Sequence, residues 1–369
     1  MPAVTTAIVS DLHLGTVSGM DVARRPEARA RLLDVAAGCD RLVLLGDLLE
    51  LRERPTAAVL DDVAPVLRGL GEATAGRQVV IVPGNHDHQL VAPALERAQL
   101  AGDGPLPLAG EYPPHPGEVA DRVAALMPRS EVVFAYPGVW LRDDVYALHG
   151  HYLDAHLTVP RVECLIAAAV ERFTTGLGAA GPTTPEQYEA ILAPIYALSH
   201  ALAQNARARP ATRRGNLSRS VWSAANGDRG AAGRLKGTLI GKAAIPAAVM
   251  AINAAGMGPF KADISGEELR RAGLEAIGAV VERLGVEADH VLYGHTHRAG
   301  PLDGETDGWT LPSGTRLTNT GSWVHEEAFV GASGPSNPYW PGRVALLGDD
   351  GPPELTTVLT ELDPAPAGR

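Results

Sequence analysis

Two histidines lie one residue apart in the stretch LYGHTHRAG, residues 292 to 300. His295 and His297 follow an apolar run that predicts a buried strand, and residues two apart in an extended chain point to the same face. Both imidazoles are therefore predicted to reach one pair of neighbouring groups. Metal ions are candidates for those groups, since imidazole nitrogen is a common ligand of divalent transition metals. Taken alone, the pair has an alternative interpretation as solvent-facing histidines at a strand edge.

Four further stretches place Asp, Asn and His residues directly after apolar runs. Ligand groups gather at the carboxyl ends of the strands in open α/β sheets. A mixture of Asp, Asn and His suits Mn, Fe(II), Zn or Co better than Ca or Mg alone. Asp47 is the candidate bridge, because a carboxylate with two oxygens spans two ions about 3.5 to 4 Å apart. The four stretches are Asp11-Leu12-His13, Gly46-Asp47, Gly84-Asn85-His86-Asp87 and His149-Gly150-His151.

The ordered series DLH, GDxxE, GNHD, HGH and GHTH resembles the motifs of the calcineurin-like metallophosphoesterase superfamily. The resemblance implies an α/β fold of the two-sheet αββα sandwich type, and a binuclear centre of divalent ions that hydrolyses a phosphate ester, phosphodiester or pyrophosphate. It also implies the ligands. The first metal takes Asp11, His13 and His297, Asp47 bridges, and the second metal takes Asn85, His149 and His295.

The same resemblance places His86 off the metals and near the substrate phosphate, with Asp87 as its orienting acid. Metal-bound hydroxide is then predicted to attack phosphorus while His86 assists the leaving group, which is typically worth about 10² to 10⁴ in rate. Arg298 is a candidate for gripping a phosphate. His88 and His151 are candidates for contacting substrate, with supporting hydrogen bonds as the alternative.

Apolar strands alternate with helical stretches through the first third of the chain, which predicts a sheet covered on both faces and α/β layering. The predicted helices are residues 26–37, 55–71 and 90–100. From Glu131 onwards, shorter extended pieces separated by Pro-Gly and Asp-Asp predict a more antiparallel layer. Asn319, in a later strand, is predicted to support the metal site.

Between residues 155 and 285 the composition shifts to Ala, Arg and Gly with helical periodicity. We therefore predict a core of residues 1–154 and 286–362, a mainly helical insertion or cap at 155–285, and a frayed tail at 363–369. The insertion contains the arginine cluster RARPATRRGNLSRS, residues 207–220, and an apolar stretch at 239–260. These features predict a grip for a second phosphate or an anionic headgroup, with a solvated surface as the alternative.

The combination DLHLG, GDLLEL and GHTHR resembles the branch that contains UDP-2,3-diacylglucosamine diphosphatase. The third motif here reads GNHD where that branch is expected to have GNRD, and this insertion is longer. A generic phosphodiesterase or phosphomonoesterase is therefore a comparable alternative. The substrate is predicted to be a phosphorylated small molecule or a lipid-linked nucleotide.

Composition sets the remaining expectations. A formal net charge of −11 argues against a nucleic-acid partner. Two distant cysteines, Cys39 and Cys164, suggest neither a disulfide framework nor a thiolate metal site. Without a signal sequence or a span-length apolar run, a cytoplasmic location is expected, with peripheral membrane contact as a second expectation. A catalytically silent metal-binding scaffold and a nuclease are the alternative functions, and no oligomeric state is predicted.

Overall fold

Within the described residues, ten strands are joined by backbone hydrogen bonds into one sheet. The computed structural model describes residues 6–158, 162–171, 181–205, 266–331 and 333–362. In chain order the strands β1 to β10 are Thr6–Val9, Arg41–Leu45, Gln78–Val82, Ala109–Glu111, Glu131–Arg142, Val145–Leu148, His290–Tyr293, Arg316–Asn319, Arg343–Leu347 and Glu354–Thr357.

The strand order is β10-β9-β1-β2-β3-β5-β6-β7-β8, and β4 pairs with β5 outside this path. Strands β1, β2, β3 and the first part of β5 run parallel, whereas β9 pairs antiparallel with β1 and with β10. Parallel neighbours need crossover connections, which here are helices. The alternation of strand and helix predicted for the first third of the chain is confirmed.

Strand β5 takes part in three pairings, with β4 at residues 135–137 and with two further strands. Its residues 131–134 pair in parallel with β3, and its residues 138–142 pair antiparallel with β6. The sequence predicts two pieces separated at Pro137-Gly138, but the chain stays extended through them. The expected, more antiparallel second layer is wrong for β7 and β8, because β6–β7 and β7–β8 are parallel pairs.

Eight α-helices lie within the described residues, and the first three match the predicted ones within about two residues at each end. Helix α1 begins with Pro26 at its first position, where the missing amide hydrogen costs nothing. In chain order the helices α1 to α8 are Pro26–Ala37, Thr56–Ala73, Ala92–Ala101, Val119–Ala124, Val162–Val170, Pro185–Gln204, Gly266–Arg283 and Glu327–Val330.

Alternate residues of the parallel strands enter two different hydrophobic clusters. Leu42 and Leu44 of β2 pack in a cluster with residues of α1 and α2. Val43 of the same strand packs on the opposite face, in a cluster that also contains Val145 and Leu292 from β6 and β7. Both faces of β2 are therefore buried, as a continuous apolar strand requires. The architecture is a mixed α/β fold with one large hydrogen-bonded sheet.

The chain divides into two compact units. Unit 1 comprises Met1–His151, Tyr196–Arg207 and Val286–Arg369, and unit 2 comprises Tyr152–Ile195 and Ala208–Gly285. Within unit 2, Tyr152 and Tyr188 stack with ring centroids 4.6 Å apart. The His156 Nε2 atom lies 2.6 Å from the Tyr188 hydroxyl.

Three sequence features lie outside the described residues: the arginine cluster at 207–220, the apolar stretch at 239–260 and the tail at 363–369. None of the helices that the structure describes has both the length and the apolar character needed to cross a membrane.

Candidate metal centre

The predicted ligands come from five loops that each follow a strand of the sheet. Asp11 follows β1, Asp47 follows β2, Asn85 follows β3, His149 follows β6 and His295 follows β7. Backbone hydrogen bonds tie two of these loops together, since the Asp11 amide donates to Gly46 O at 3.0 Å. The loops at this edge of the sheet therefore bring residues from remote parts of the chain to one place.

Five of the predicted ligands have an unusual backbone. Positive φ angles from 43° to 66° occur at five non-glycine residues of the described chain. Such conformations cost on the order of 1 to 3 kcal/mol each and persist where the surroundings hold them. Here the contacts that hold the backbone come from other residues of the site, since the His295 amide donates to both carboxylate oxygens of Asp11 at 3.1 Å. The five residues are Asp11, His13, Asp47, His295 and His297.

A first cluster consists of Asp11, His13 and His297, whose candidate ligand atoms all lie within 4.8 Å of one another. The His297 Nε2 atom is 3.4 Å from Asp11 Oδ1 and 3.0 Å from His13 Nε2. The Nδ1 atom of His13 faces Glu50, and that of His297 faces Glu326. With their protons on Nδ1, the two imidazoles direct Nε2 lone pairs at each other, an arrangement that a cation stabilises.

A second cluster consists of Asp47, His149 and His295. His149 donates from Nδ1 to the Leu45 carbonyl at 3.1 Å, and its Nε2 atom faces Asp47 Oδ2 at 3.2 Å. The Asn85 Oδ1 atom lies 3.3 Å from His149 Nε2 and 3.1 Å from His295 Nδ1. The predicted ligands of the second metal are therefore brought together, and Asn85 completes the cluster.

The Asn85 amide has two possible orientations. In one, its oxygen faces the second cluster. In the other, its nitrogen donates to His295 and Asp47, and its oxygen accepts from Arg52 at 3.0 Å. A cation in the cluster favours the first orientation, because only the oxygen has a lone pair to offer. The donor set consists of carboxylate oxygens, imidazole nitrogens and one amide oxygen. Such a set fits divalent cations of the Mn, Fe, Zn or Co type.

Electrostatics within the second cluster favour an ionised carboxylate. Burial opposes the charge of Asp47, yet the charges of the surrounding histidines, led by His149, hold the pKa of Asp47 well below its usual range. Burial likewise opposes the charge of His149, but Asp47 and Asp11 raise the pKa of His149 to about 10. In the protein without ions, protons on imidazole therefore balance the carboxylates at this site.

Two glycines allow the close approach of these groups. A Cβ atom on Gly84 would lie 2.3 Å from Asp47 Oδ1 and 2.6 Å from His149 Cδ2. A Cβ atom on Gly294 would lie 2.3 Å from Asp11 Oδ2. Any side chain at either position would displace a predicted ligand, which explains the glycines beside the ligand residues.

Glu50 has a role that the sequence reasoning missed. Its Oε2 atom lies 2.6 Å from His86 Nδ1 and 3.4 Å from His13 Nδ1, and the residue is 3% exposed. Burial disfavours the charge of Glu50, but His86 and His13 outweigh it and lower its pKa. The GDxxE motif contained the signal, because its glutamate follows Asp47, the predicted bridge, by three residues.

Asp87, predicted to orient His86, contacts the backbone instead. Its carboxylate accepts from the Gly84 amide at 2.7 Å and from the Leu49 amide at 3.1 Å. It is fully buried, and burial, followed by the charge of Asp47, raises its pKa to about 7. Asp87 therefore fastens the loop after β3 to the loop after β2, while Glu50 is the carboxylate on His86.

The predicted substrate contacts lie in two different surroundings. The guanidinium of Arg298 pairs with Glu305 and lies 6.0 Å from the centre of the Trp309 ring. His88 and His151 are 6% and 2% exposed and pack among tyrosine rings. Burial, followed by the charge of His149, holds the pKa of His151 well below its usual range.

Asn319 supports the loop that carries the last two ligands. Its Nδ2 atom donates to Gly294 O at 3.0 Å and to Thr296 Oγ1 at 2.9 Å. Its Oδ1 atom accepts from the Gly321 amide at 2.9 Å. The GHTH loop is therefore fastened to β8, the neighbouring strand.

Comparison with known proteins identifies the class. The calcineurin-like phosphoesterase family model matches residues 4–172, which include Asp11, Asp47, Asn85 and His149. Residues 4–172 are thus similar to calcineurin-like phosphoesterases, and this match, with the His and Asp clusters, supports a metal-dependent hydrolytic phosphoesterase.

Other comparisons add little. A structure of a dimetal phosphatase from Danio rerio (LOC 393393) matches at 14% identity, covering 95% of this chain and 94% of that chain. The TM-score is 0.35, a value that supports no conclusion about fold or function. No curated protein matches the sequence significantly.

Proposed function

We propose that the protein is a binuclear phosphoesterase in which Asp47 bridges two divalent cations. One observation carries this proposal: the Oδ2 atom of Asp47 lies 3.5 Å from His13 Nε2 of the first cluster and 3.2 Å from His149 Nε2 of the second. A single carboxylate oxygen thus faces histidines of both clusters. The proposed ions are Mn, Fe, Zn or Co, which suit the mixed donors.

The cations, when bound, supply Lewis acidity, which makes hydroxide available near neutral pH and withdraws charge from the phosphoryl group. The protein's own part in the reaction falls to His86. Glu50 accepts a hydrogen bond from His86 Nδ1, which leaves Nε2 as the atom that faces the cluster, 4.0 Å from Asp47 Oδ2. His86 Nε2 is therefore the proposed donor of a proton to the leaving oxygen.

The substrate is proposed to be a phosphate ester, a phosphodiester or a pyrophosphate of a small molecule, with a lipid-linked nucleotide as one candidate. Residues 155–285 are the proposed cap that selects it, and the arginine-rich sequence at 207–220 supports an anionic second group. Peripheral membrane contact and a cytoplasmic location belong to the same proposal. The proposed two-sheet sandwich is supported by the cluster that joins Val43 to Val145 and Leu292.

A substrate panel tests the function. Purified protein, freed of metal and reloaded with Mn²⁺, Fe²⁺, Zn²⁺ or Co²⁺, is assayed with p-nitrophenyl phosphate, bis-p-nitrophenyl phosphate, nucleotide-diphosphate conjugates and single-stranded DNA. Metal-dependent hydrolysis of one of the small phosphates is the expected result. Cleavage of DNA alone would indicate a nuclease, and inactivity with both ions bound would indicate a silent scaffold.

A further inference from the structure

Four buried rings lie directly behind the metal centre. His88 lies two residues after His86, and His151 lies two residues after His149. Tyr136 of β5 and Tyr196 of α6 contact both of these imidazoles. All four residues are at most 6% exposed. These four side chains, the ring cluster, are therefore packed against one another and do not line a binding pocket.

Tyr136 fixes one side of this ring cluster from the sheet. Its hydroxyl lies 3.0 Å from His151 Nε2, and its ring centroid lies 5.7 Å from that of His88. Tyr136 lies in the middle of β5, where it pairs with Gly110 of β4, so its position is set by strand pairing.

Tyr196 fixes the other side from a helix. Its ring centroid lies 5.4 Å from that of His88 and 5.7 Å from that of His151. His88 opens a short 3-10 helix, His88–Leu90, and His151 opens another, His151–Ala155. A displacement of either imidazole would therefore move the turn that carries His86 or the one that carries His149.

Helix α6 is itself anchored on the same side. Tyr196, His200 and Gln204 are spaced four residues apart and so share one face of the helix. The His200 Nε2 atom lies 3.2 Å from Thr56 Oγ1, and Gln204 Oε1 accepts from the Thr56 amide at 3.0 Å. That amide is at the first turn of α2, where no partner exists within the helix.

We propose that Tyr196 is a positioning residue for the metal centre. By packing on His88 and His151, its ring holds the turns that carry His86 and His149 in place. This role rests on the proposed binuclear function. Because misplacing a reacting group by about 1 Å costs on the order of 10²-fold in rate, loss of the ring is expected to lower kcat more than it alters KM.

The test compares three substitutions on α6. Tyr196→Ala is expected to lower kcat 10-fold to 100-fold and to change the visible absorption of the Co²⁺-loaded protein, which reports ligand geometry. Tyr196→Phe keeps the ring and is expected to retain activity and spectrum. Leu198→Ala alters a side chain of the same helix that is 60% exposed, and is expected to keep the wild-type Co²⁺ spectrum.

The outcomes separate this role from the proposed function. A Tyr196→Ala protein with wild-type kcat and Co²⁺ spectrum would overturn the positioning role. If that variant does not fold, Tyr196→Leu replaces it, and normal kcat and spectrum in Tyr196→Leu would overturn the role equally. If the wild type hydrolyses no phosphate ester, the proposed function fails, whereas the Co²⁺ spectra still decide whether Tyr196 positions the ligands.

Discussion

Glu50 Oε2 lies 2.6 Å from His86 Nδ1, and the same oxygen lies 3.4 Å from His13 Nδ1. One buried carboxylate therefore orients both a predicted metal ligand and the predicted acid of the reaction. Carboxylates behind histidine ligands fix the ring orientation and raise ligand basicity. The position of Glu50 makes the two roles of these histidines dependent on each other.

Replacing His86 with alanine separates metal binding from turnover. His86→Ala is expected to keep both ions, because no predicted ligand is removed, and to lose about 10²-fold to 10⁴-fold in kcat. Metal content by mass spectrometry and steady-state kinetics check this together. A variant with full kcat would reject the role of His86.

Replacing Glu50 with glutamine removes the charge while keeping the shape. Glu50→Gln is expected to lower metal affinity as well as turnover, each by about 10-fold to 100-fold, since His13 also loses its partner. Titration of metal-free protein with Mn²⁺ by calorimetry measures the affinity. Glu72→Gln, a change at an exposed surface pair with Arg129, is the matched control. An unchanged Mn²⁺ affinity in Glu50→Gln would mean that Glu50 serves His86 alone.

Asp47 and Asn85 are predicted to differ in how many ions each holds. Asp47→Asn is expected to abolish binding at both positions because its carboxylate faces both clusters. Asn85→Ala is expected to weaken only the second, since Asn85 contacts His149 and His295. The number of metal ions per chain decides between these outcomes. Equal losses in the two variants would argue against the bridge.

Gly84 is predicted to tolerate no side chain. Gly84→Ala is expected to lose metal because its Cβ would collide with Asp47 Oδ1 and with the His149 ring. Gly266→Ala, at the start of α7, is the control, since a Cβ there meets nothing within 4 Å. Metal stoichiometry and melting temperature are measured for both variants. Retention of both ions by Gly84→Ala would show that the loop can yield.

Unit 2 is predicted to lose stability in acid through His156. Burial, followed by the charge of Arg283, lowers the pKa of His156 to about 4, against about 6.5 in an unfolded chain. The unfolded state therefore binds more protons between these values, so the free energy of unfolding falls as pH drops from about 6.5 to about 4, by up to about 3 kcal/mol.

His156→Gln is expected to flatten that part of the profile. The free energy of unfolding is expected to depend less on pH between 4.5 and 7.5 in the variant than in the wild type. Denaturant unfolding of the wild type and the variant between pH 4.5 and 7.5 measures the difference. Because all other histidines are present in both proteins, their contributions cancel in the comparison. Parallel pH profiles would show that His156 does not contribute.

Local patterns predicted much of the fold. Pro26 and the apolar spacing behind it set the bounds of α1, and continuous apolar runs set β1, β2 and β3. The extended path of β5 through Pro137-Gly138 was not predictable in the same way. There Pro137 pairs with Ala109 of β4 and Gly138 pairs with Leu148 of β6, and this tertiary pairing keeps the turn-forming residues extended.

The candidate site, too, was predictable only in part. The predicted ligands follow from motifs, because each motif comes just after a strand and four of the five motifs contain a glycine. The partner of His86 does not follow from a motif. Asp87 is adjacent to His86 in sequence, yet its carboxylate accepts from the Gly84 and Leu49 amides. Neighbouring residues in a tight loop point in different directions. Tyr196 lies 45 residues beyond His151 in sequence, and no local pattern connects them.

The first strand has a consequence for how the chain folds. Strand β1 pairs with β9, joining Ile8 to Ala345, and Ser10 reaches Thr320 by a 2.7 Å hydrogen bond. Contacts between such distant residues form slowly because a long loop must close first. During synthesis, the edge of β1 that pairs with β9 stays open until the last strands leave the ribosome, and His295 and His297 are also made late, shortly before those strands. The nascent chain therefore has an early sheet well before it has a place for metal.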